Sequence, residues 1–433
     1  MRNSYKVLSV FWMMLVPVML TAYSQEDNWA PVDYDIQLDT IRSGFDKETC
    51  WVHPRAGTIP GETPIVVMTM QKLLLSGSDV FYALNEMRTD DLGKTWSGPV
   101  EHDTLSRRQE ETMVAVICDF TPKWHAATGK LLGTGHVARY QGDKLAGEYP
   151  RQTAYSWYEP ETRTWASWRT VEMPDDPKFF SSGAGSTQRV DLPDGDILLP
   201  IYFRPKGTKT SASTVMRCRF DGEALRYIAH GDEMTVPEPR GLGEPSLTLF
   251  QNRFYLTLRN DVKGYVTRGD DGLHFEPPRP WTFDDGSELG SYTTQQHWVT
   301  RKDALLLVYT RRDPEYDHVF RHRAPLRIAR VDPERLCVIR DTERILVPSR
   351  GARLGNFAVT EVNDQETWVT VAEWMQPKGC EQYGSDNAVY AARIRWRQAG
   401  SGSAGSQETC RTNGPSSSTS SGRFSFSGGS GTG

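Results

Sequence analysis

Thr89-Asp90-Asp91-Leu92-Gly93-Lys94-Thr95-Trp96 follows the pattern S/T-x-D-x-G-x-T-W, an Asp-box, and its reading decides the fold. The carboxylate accepts hydrogen bonds from the turn backbone, the glycine permits a tight reversal, and the tryptophan packs beneath. Gly269-Asp270-Asp271-Gly272-Leu273-His274-Phe275 is a degraded second copy with Phe in place of Trp, and residues 156–165 hold a candidate third. Such turns stand at the outer corners of propeller blades and carry no chemistry of their own.

Outward from these turns, short apolar or alternating runs recur at 64–70, 80–88, 113–118, 131–140, 197–203, 214–220, 254–259, 304–310, 368–374 and 389–396. Gly, Pro, Asp and Asn cluster between them, as in Leu192-Pro193-Asp194-Gly195-Asp196. These are strand and turn signals, and no amphipathic helical window exceeds two or three turns. The pattern predicts an all-β chain, a six-bladed β-propeller with Asp-box turns, over residues 28–397.

Both ends read differently. Met1-Arg2-Asn3-Ser4-Tyr5-Lys6, an apolar run over 7–20 and Ala22-Tyr23-Ser24 make residues 1–24 a signal peptide. The mature protein is therefore expected to be secreted or periplasmic, with no membrane span after cleavage. Over 399–433, 20 of 35 residues are Gly or Ser, too few apolar groups to offset ordering entropy, which predicts a flexible tail. Six scattered cysteines without CxxC spacing give no zinc template. A net charge of −5 without long single-sign runs excludes the basic footprint of a nucleic-acid binder.

The Asp-boxes and the layout of charged residues resemble the sialidase superfamily, six-bladed propellers that hold an anionic sugar with three arginines. The resemblance implies an Asp acid/base and a Tyr nucleophile assisted by a Glu. Val52-His53-Pro54-Arg55 places Arg55 near the first arginine position, with His53 beside it. Gly243-Glu244-Pro245-Ser246-Leu247 followed by Leu258-Arg259 reproduces the family's Glu and second arginine, and Arg321-His322-Arg323 offers Arg323 as the third. Guanidinium forks pair bidentately with carboxylates and stay charged at any working pH. Ser78-Asp79-Val80, ahead of the strand running into the first Asp-box, supplies Asp79 as general acid.

The nucleophile departs from the family. Counting on from Arg323 reaches Arg353-Leu354-Gly355-Asn356-Phe357, with no Tyr, and Ala372-Glu373-Trp374 stands where Tyr-Glu is expected. Ser291-Tyr292-Thr293-Thr294-Gln295-Gln296-His297-Trp298 is a dense polar-aromatic cluster, in which Tyr292 is a substitute phenol and His297 an acid or base near neutral pH. His136 is added as a substrate contact. No cofactor or metal is called for.

Three readings stay open. The first and preferred one is a sialidase-like glycoside hydrolase removing a terminal acidic sugar, sialic or uronic, from a glycan. The second is a propeller polysaccharide lyase on a uronate polymer, with arginines neutralising the carboxylate and His297 or His136 with Tyr292 moving the proton. The third is a non-catalytic carbohydrate-binding propeller.

Overall fold

The computed structural model describes residues 1, 32–77, 79–147 and 149–397. The signal-peptide and tail assignments fall outside the described residues, Met1 apart. Six antiparallel sheets, five of them built of strands consecutive along the chain, make up the described fold, and helix is confined to short 3-10 turns. The fold is an all-β propeller.

The sheet Thr49–Ile59, Ile65–Leu74, Val80–Thr89, Ser97–Glu101 shows the plan: each strand pairs with the next through a short turn, as antiparallel neighbours allow. Thr49–Ile59 is buried almost throughout, since neighbouring sheets cover both its faces. Ser97–Glu101 lies at the outer edge, largely exposed, and carries Pro99 and Glu101, which discourage pairing with another chain. The strands predicted at 80–88, 131–140, 197–203, 254–259 and 389–396 appear as Val80–Thr89, Lys130–Gln141, Asp196–Arg204, Arg253–Arg259 and Val389–Trp396.

One sheet joins the two ends of the fold. Tyr34–Arg42 pairs with Val389–Trp396, which pairs on with Glu366–Ala372 and Ala358–Asn363. Tyr34 lies opposite Trp396, their rings edge to face at 5.4 Å, and Ile36 opposite Ile394. Side chains stitch this sheet to its neighbour: Thr360 Oγ1 donates to Ala56 O at 2.6 Å and Thr370 Oγ1 to Pro54 O at 2.7 Å.

In the turn at 89–96, Asp91 accepts from Thr89 Oγ1 at 2.8 Å and from the Thr95 amide at 2.9 Å. The Thr95 amide and hydroxyl hold its carboxyl down at about 2. Gly93 has φ +78°, and a Cβ there would stand 3.1 Å from the Trp368 ring, which Trp96 also approaches. At the second turn Asp271 accepts from the Leu273 and His274 amides. In the third stretch Trp165 is buried and its indole N–H donates to Glu86 at 2.7 Å. Cys50, Cys118, Cys218, Cys337 and Cys380 are free and buried.

Candidate active site

Three inner strands break register, each at a residue that carries the site's chemistry. The pairing of Thr49–Ile59 slips between Val52 and Arg55, that of Met113–His125 between Cys118 and Thr121, and that of Gly243–Phe250 between Gly243 and Ser246. At these bulges His53, Asp119 and Glu244 take left-handed backbone, with φ of +53°, +51° and +41°. A bulge re-aims a side chain, and non-glycine residues held there store roughly 1–3 kcal/mol of strain each.

Asp119 is the hub of one half. It accepts from Arg55 Nη2 at 3.1 Å and Ser186 Oγ at 2.7 Å, while His53 Nε2 lies at 3.3 Å and His136 Nδ1 at 3.9 Å. Burial pushes its carboxyl up, but the His53 and Arg55 charges outweigh this and hold it well below the usual range. Arg55 is fully buried and also donates to Ser186 Oγ at 2.7 Å. Burial, with Arg151 nearby, brings His136 down to about 3, so its imidazole is neutral near pH 7. His136 touches Tyr202 Oη at 3.1 Å, and that phenol accepts from Arg151 at 3.0 Å. Cys118, Asp119 and His136 are metal-ligand types with donor atoms within 4.8 Å of one another. Arg55 already neutralises Asp119 at 3.1 Å, and burial raises the Cys118 thiol well above its ordinary value.

The other half is cationic. Arg259 pairs with Glu244 and donates to Asp261 at 3.4 Å. Arg323, 5% exposed, donates to the Thr293 carbonyl and to Asn356 Oδ1 at 3.2 Å, both neutral. Arg353, 7% exposed, donates to Gln376 Oε1 at 3.3 Å and lies over the Trp374 ring at 4.6 Å. Among the described residues neither has a carboxylate at ion-pair distance. Burial, then the like charges of Arg259 and Arg353, push Arg323 well below the ordinary guanidinium value; burial takes Arg353 to about 10. Asp79, exposed and at φ +52°, acts electrostatically on Arg353 and His53. Asn356 joins the halves, its Nδ2 lying 3.1 Å from His53 Nε2 while its Oδ1 accepts from Arg323.

The Tyr292 hydroxyl is 2.5 Å from His322 Nδ1, and His322 Nε2 is 3.0 Å from Asp317. The next residue, Thr293, holds Arg323 through its carbonyl and donates its amide to Asn260 O at 2.9 Å, which sets Tyr292 at the rim of this cationic half. His297 stands apart from Tyr292: it is buried against Phe357, with Nδ1 at 2.8 Å from Ser246 Oγ. Glu373 is a staple, accepting the Asp386 and Ala388 amides and the Tyr390 hydroxyl.

A cleft of about 190 Å³ opens beside Glu244 and Arg259, with Arg151, Arg204, Lys209 and Arg240 among its lining. Asp119, Arg353, Asn356 and His322 escaped the sequence-level assignment of roles. An acidic residue inside the apolar run Met113–His125 was the available signal for Asp119.

No protein-family model matches the chain, and no curated protein does. Solved structures do. A Hadza microbial sialidase aligns with a TM-score of 0.58 at 14% identity, over 82% of this chain and 68% of its own. Trypanosoma rangeli sialidase, in complex with the inhibitor DANA, aligns at 0.57 and 12% identity, over 84% of this chain. The fold is sialidase-like. This chain spans 59% of the length of that trypanosomal sialidase. A Dyadobacter fermentans protein of unknown function aligns at 0.56 and 12% identity over 84% of this chain and 99% of its own. At such identities the likeness extends to the fold alone.

Proposed function

We propose that the protein is a secreted or periplasmic sialidase-like glycoside hydrolase that removes a terminal acidic sugar from a glycan, each of its six sheets serving as one blade. The observation that carries this reading is the pair of buried arginines, Arg323 and Arg353, that lack a carboxylate partner beside the Glu244–Arg259 ion pair. A buried cation without a counter-ion is costly, and an anionic ligand removes that cost.

In this reading the sugar carboxylate lies against Arg323 and Arg259, while Arg55, already neutralised by Asp119, fixes the floor with His53 and His136. The segment from Arg353 to Phe357, where the family's phenol is expected, has no Tyr, and in this reading Tyr292 takes over that role. The Tyr292 oxygen attacks the anomeric carbon as its proton passes to His322 Nδ1, with Asp317 holding the imidazole. Asp79 protonates the departing oxygen; as a carboxylate it then takes a proton from the water that attacks the anomeric carbon, and His322 returns its proton to the released Tyr292 oxygen. A phenol suits a substrate whose own carboxylate would repel a carboxylate nucleophile.

The same Tyr292–His322 contact favours a second reading, a lyase in which the pair removes and returns a proton next to a neutralised uronate carboxylate. Incubation with fluorogenic sialoside and uronide, together with a uronate polymer followed by ultraviolet absorbance, tests both. Fluorophore release supports the hydrolase. Rising absorbance with no release moves the assignment to the lyase, and silence in both channels with intact ligand binding leaves a sugar-binding propeller.

A further inference from the structure

The cleft beside Glu244 holds more positive charge than one sugar carboxylate requires. Its lining includes Arg139, Arg151, Arg204, Lys209, Arg240 and Arg259 against the carboxylates of Glu244 and Asp261. Three of these cations are neutralised: Arg139 by Glu110 at 2.7 Å, Arg240 by Asp261 at 2.8 Å, and Arg259 by Glu244. The other three are not. Arg151 donates to the Tyr202 hydroxyl, Arg204 donates to the Thr208 carbonyl at 2.8 Å, and Lys209 lies on the exposed turn between Asp196–Arg204 and Ala212–Phe220. Among the described residues, no carboxylate lies at ion-pair distance from any of them. The chain as a whole carries −5, so this excess is local to the cleft. Burial and the like charges of Arg151 and Arg240 lower the Arg204 guanidinium, while the Tyr202 hydroxyl raises that of Arg151.

We propose that Arg151, Arg204 and Lys209 form a second anion subsite, taking a sulfate ester or carboxylate on the sugar next to the one held by Arg323. The preferred substrate is then a glycan with acidic groups on successive residues. This rests on the acidic-sugar reading for the first subsite, while the second is testable without it. Charge-assisted hydrogen bonds from a guanidinium and an ammonium give selectivity as well as affinity, because an uncharged neighbour would leave them unmatched.

The test is calorimetric titration of the full chain with a uronate disaccharide carrying one acidic group, its sulfated form, the corresponding diuronate, and inorganic sulfate. The expected result is at least about tenfold tighter binding of the dianionic sugars than of the monoanionic one. In Lys209→Gln and in Arg204→Gln/Lys209→Gln that ratio falls towards one. A gain for the sulfated form alone assigns the subsite to sulfate esters, and a gain for both assigns it to anions at large. The surface variant Lys209→Gln keeps the test decisive if the double variant does not fold. Equal binding of mono- and dianionic sugars by the wild type, or a preference that survives in the variants, overturns the proposal. If no sugar binds at all, the Arg323 reading fails by itself. Sulfate binding that is lost in Arg204→Gln/Lys209→Gln but kept in Arg323→Met then still supports the second subsite, and its absence from the wild type overturns it.

Discussion

The two halves of the site are built from the same buried guanidinium and treat it in opposite ways. Arg55 is paired, with Asp119, Ser186 and Thr121 around its two terminal nitrogens, and its charge is cancelled on the spot. Arg323 has a carbonyl and an amide oxygen, and its nearest charges repel it. The contrast separates framework from function. A satisfied ion pair ties Thr49–Ile59 to Met113–His125, whereas an unsatisfied cation keeps free energy in reserve that only an anion releases.

The comparison breaks most sharply at Asp119. Asp119→Ala strands the buried Arg55 charge and is expected to cost about 3–5 kcal/mol, read as a lower midpoint in chemical denaturation. A midpoint close to wild type would show that the hub is not framework. Arg323→Met should do the reverse: kcat/KM on the acidic substrate falls about 100-fold, while stability stays equal or rises because an unpaired charge has left the interior. Loss of stability in that variant would place Arg323 with Arg55.

A smaller effect concerns pH. The unfolded chain takes up a proton on the His136 imidazole near 6.5, but the folded protein resists until about 3. Between those values the unfolded state binds more protons, so stability is greatest above about pH 6.5 and declines on acidification towards 3. His136→Gln is expected to flatten that decline, and an unchanged slope would remove His136 from the account. The smallest effect lies far from the cleft. Gly93→Val meets both a left-handed backbone and the Trp368 ring, and should cost about 1–2 kcal/mol without altering kcat/KM.

What was legible in the sequence was local. Alternation and turn residues gave the strands, and the fifteen-residue step from Glu244 to Arg259 reflects adjacent strands of one sheet, Gly243–Phe250 and Arg253–Arg259. Asp119 and Asn356 were not legible in the same way. Their roles arise where strands of different sheets meet, and a bulge that turns Asp119 towards Arg55 depends on pairing with Lys130–Gln141, which no window around Asp119 encodes. Tyr292 was singled out by composition, but its partner His322 comes from a segment that only the tertiary fold brings near, and His297, five residues on and the first of strand His297–Thr300, was absorbed into packing.

The pairing of Tyr34–Arg42 with Val389–Trp396 sets an order of assembly. Among the described strands Tyr34–Arg42 is synthesised first and its partner Val389–Trp396 last, so their pairing waits until the intervening strands have been made. Ring closure is then a late event of high contact order, slow compared with the local hairpins, and the open edge of Val389–Trp396 is the part of the nascent protein most exposed to mispairing until it is covered.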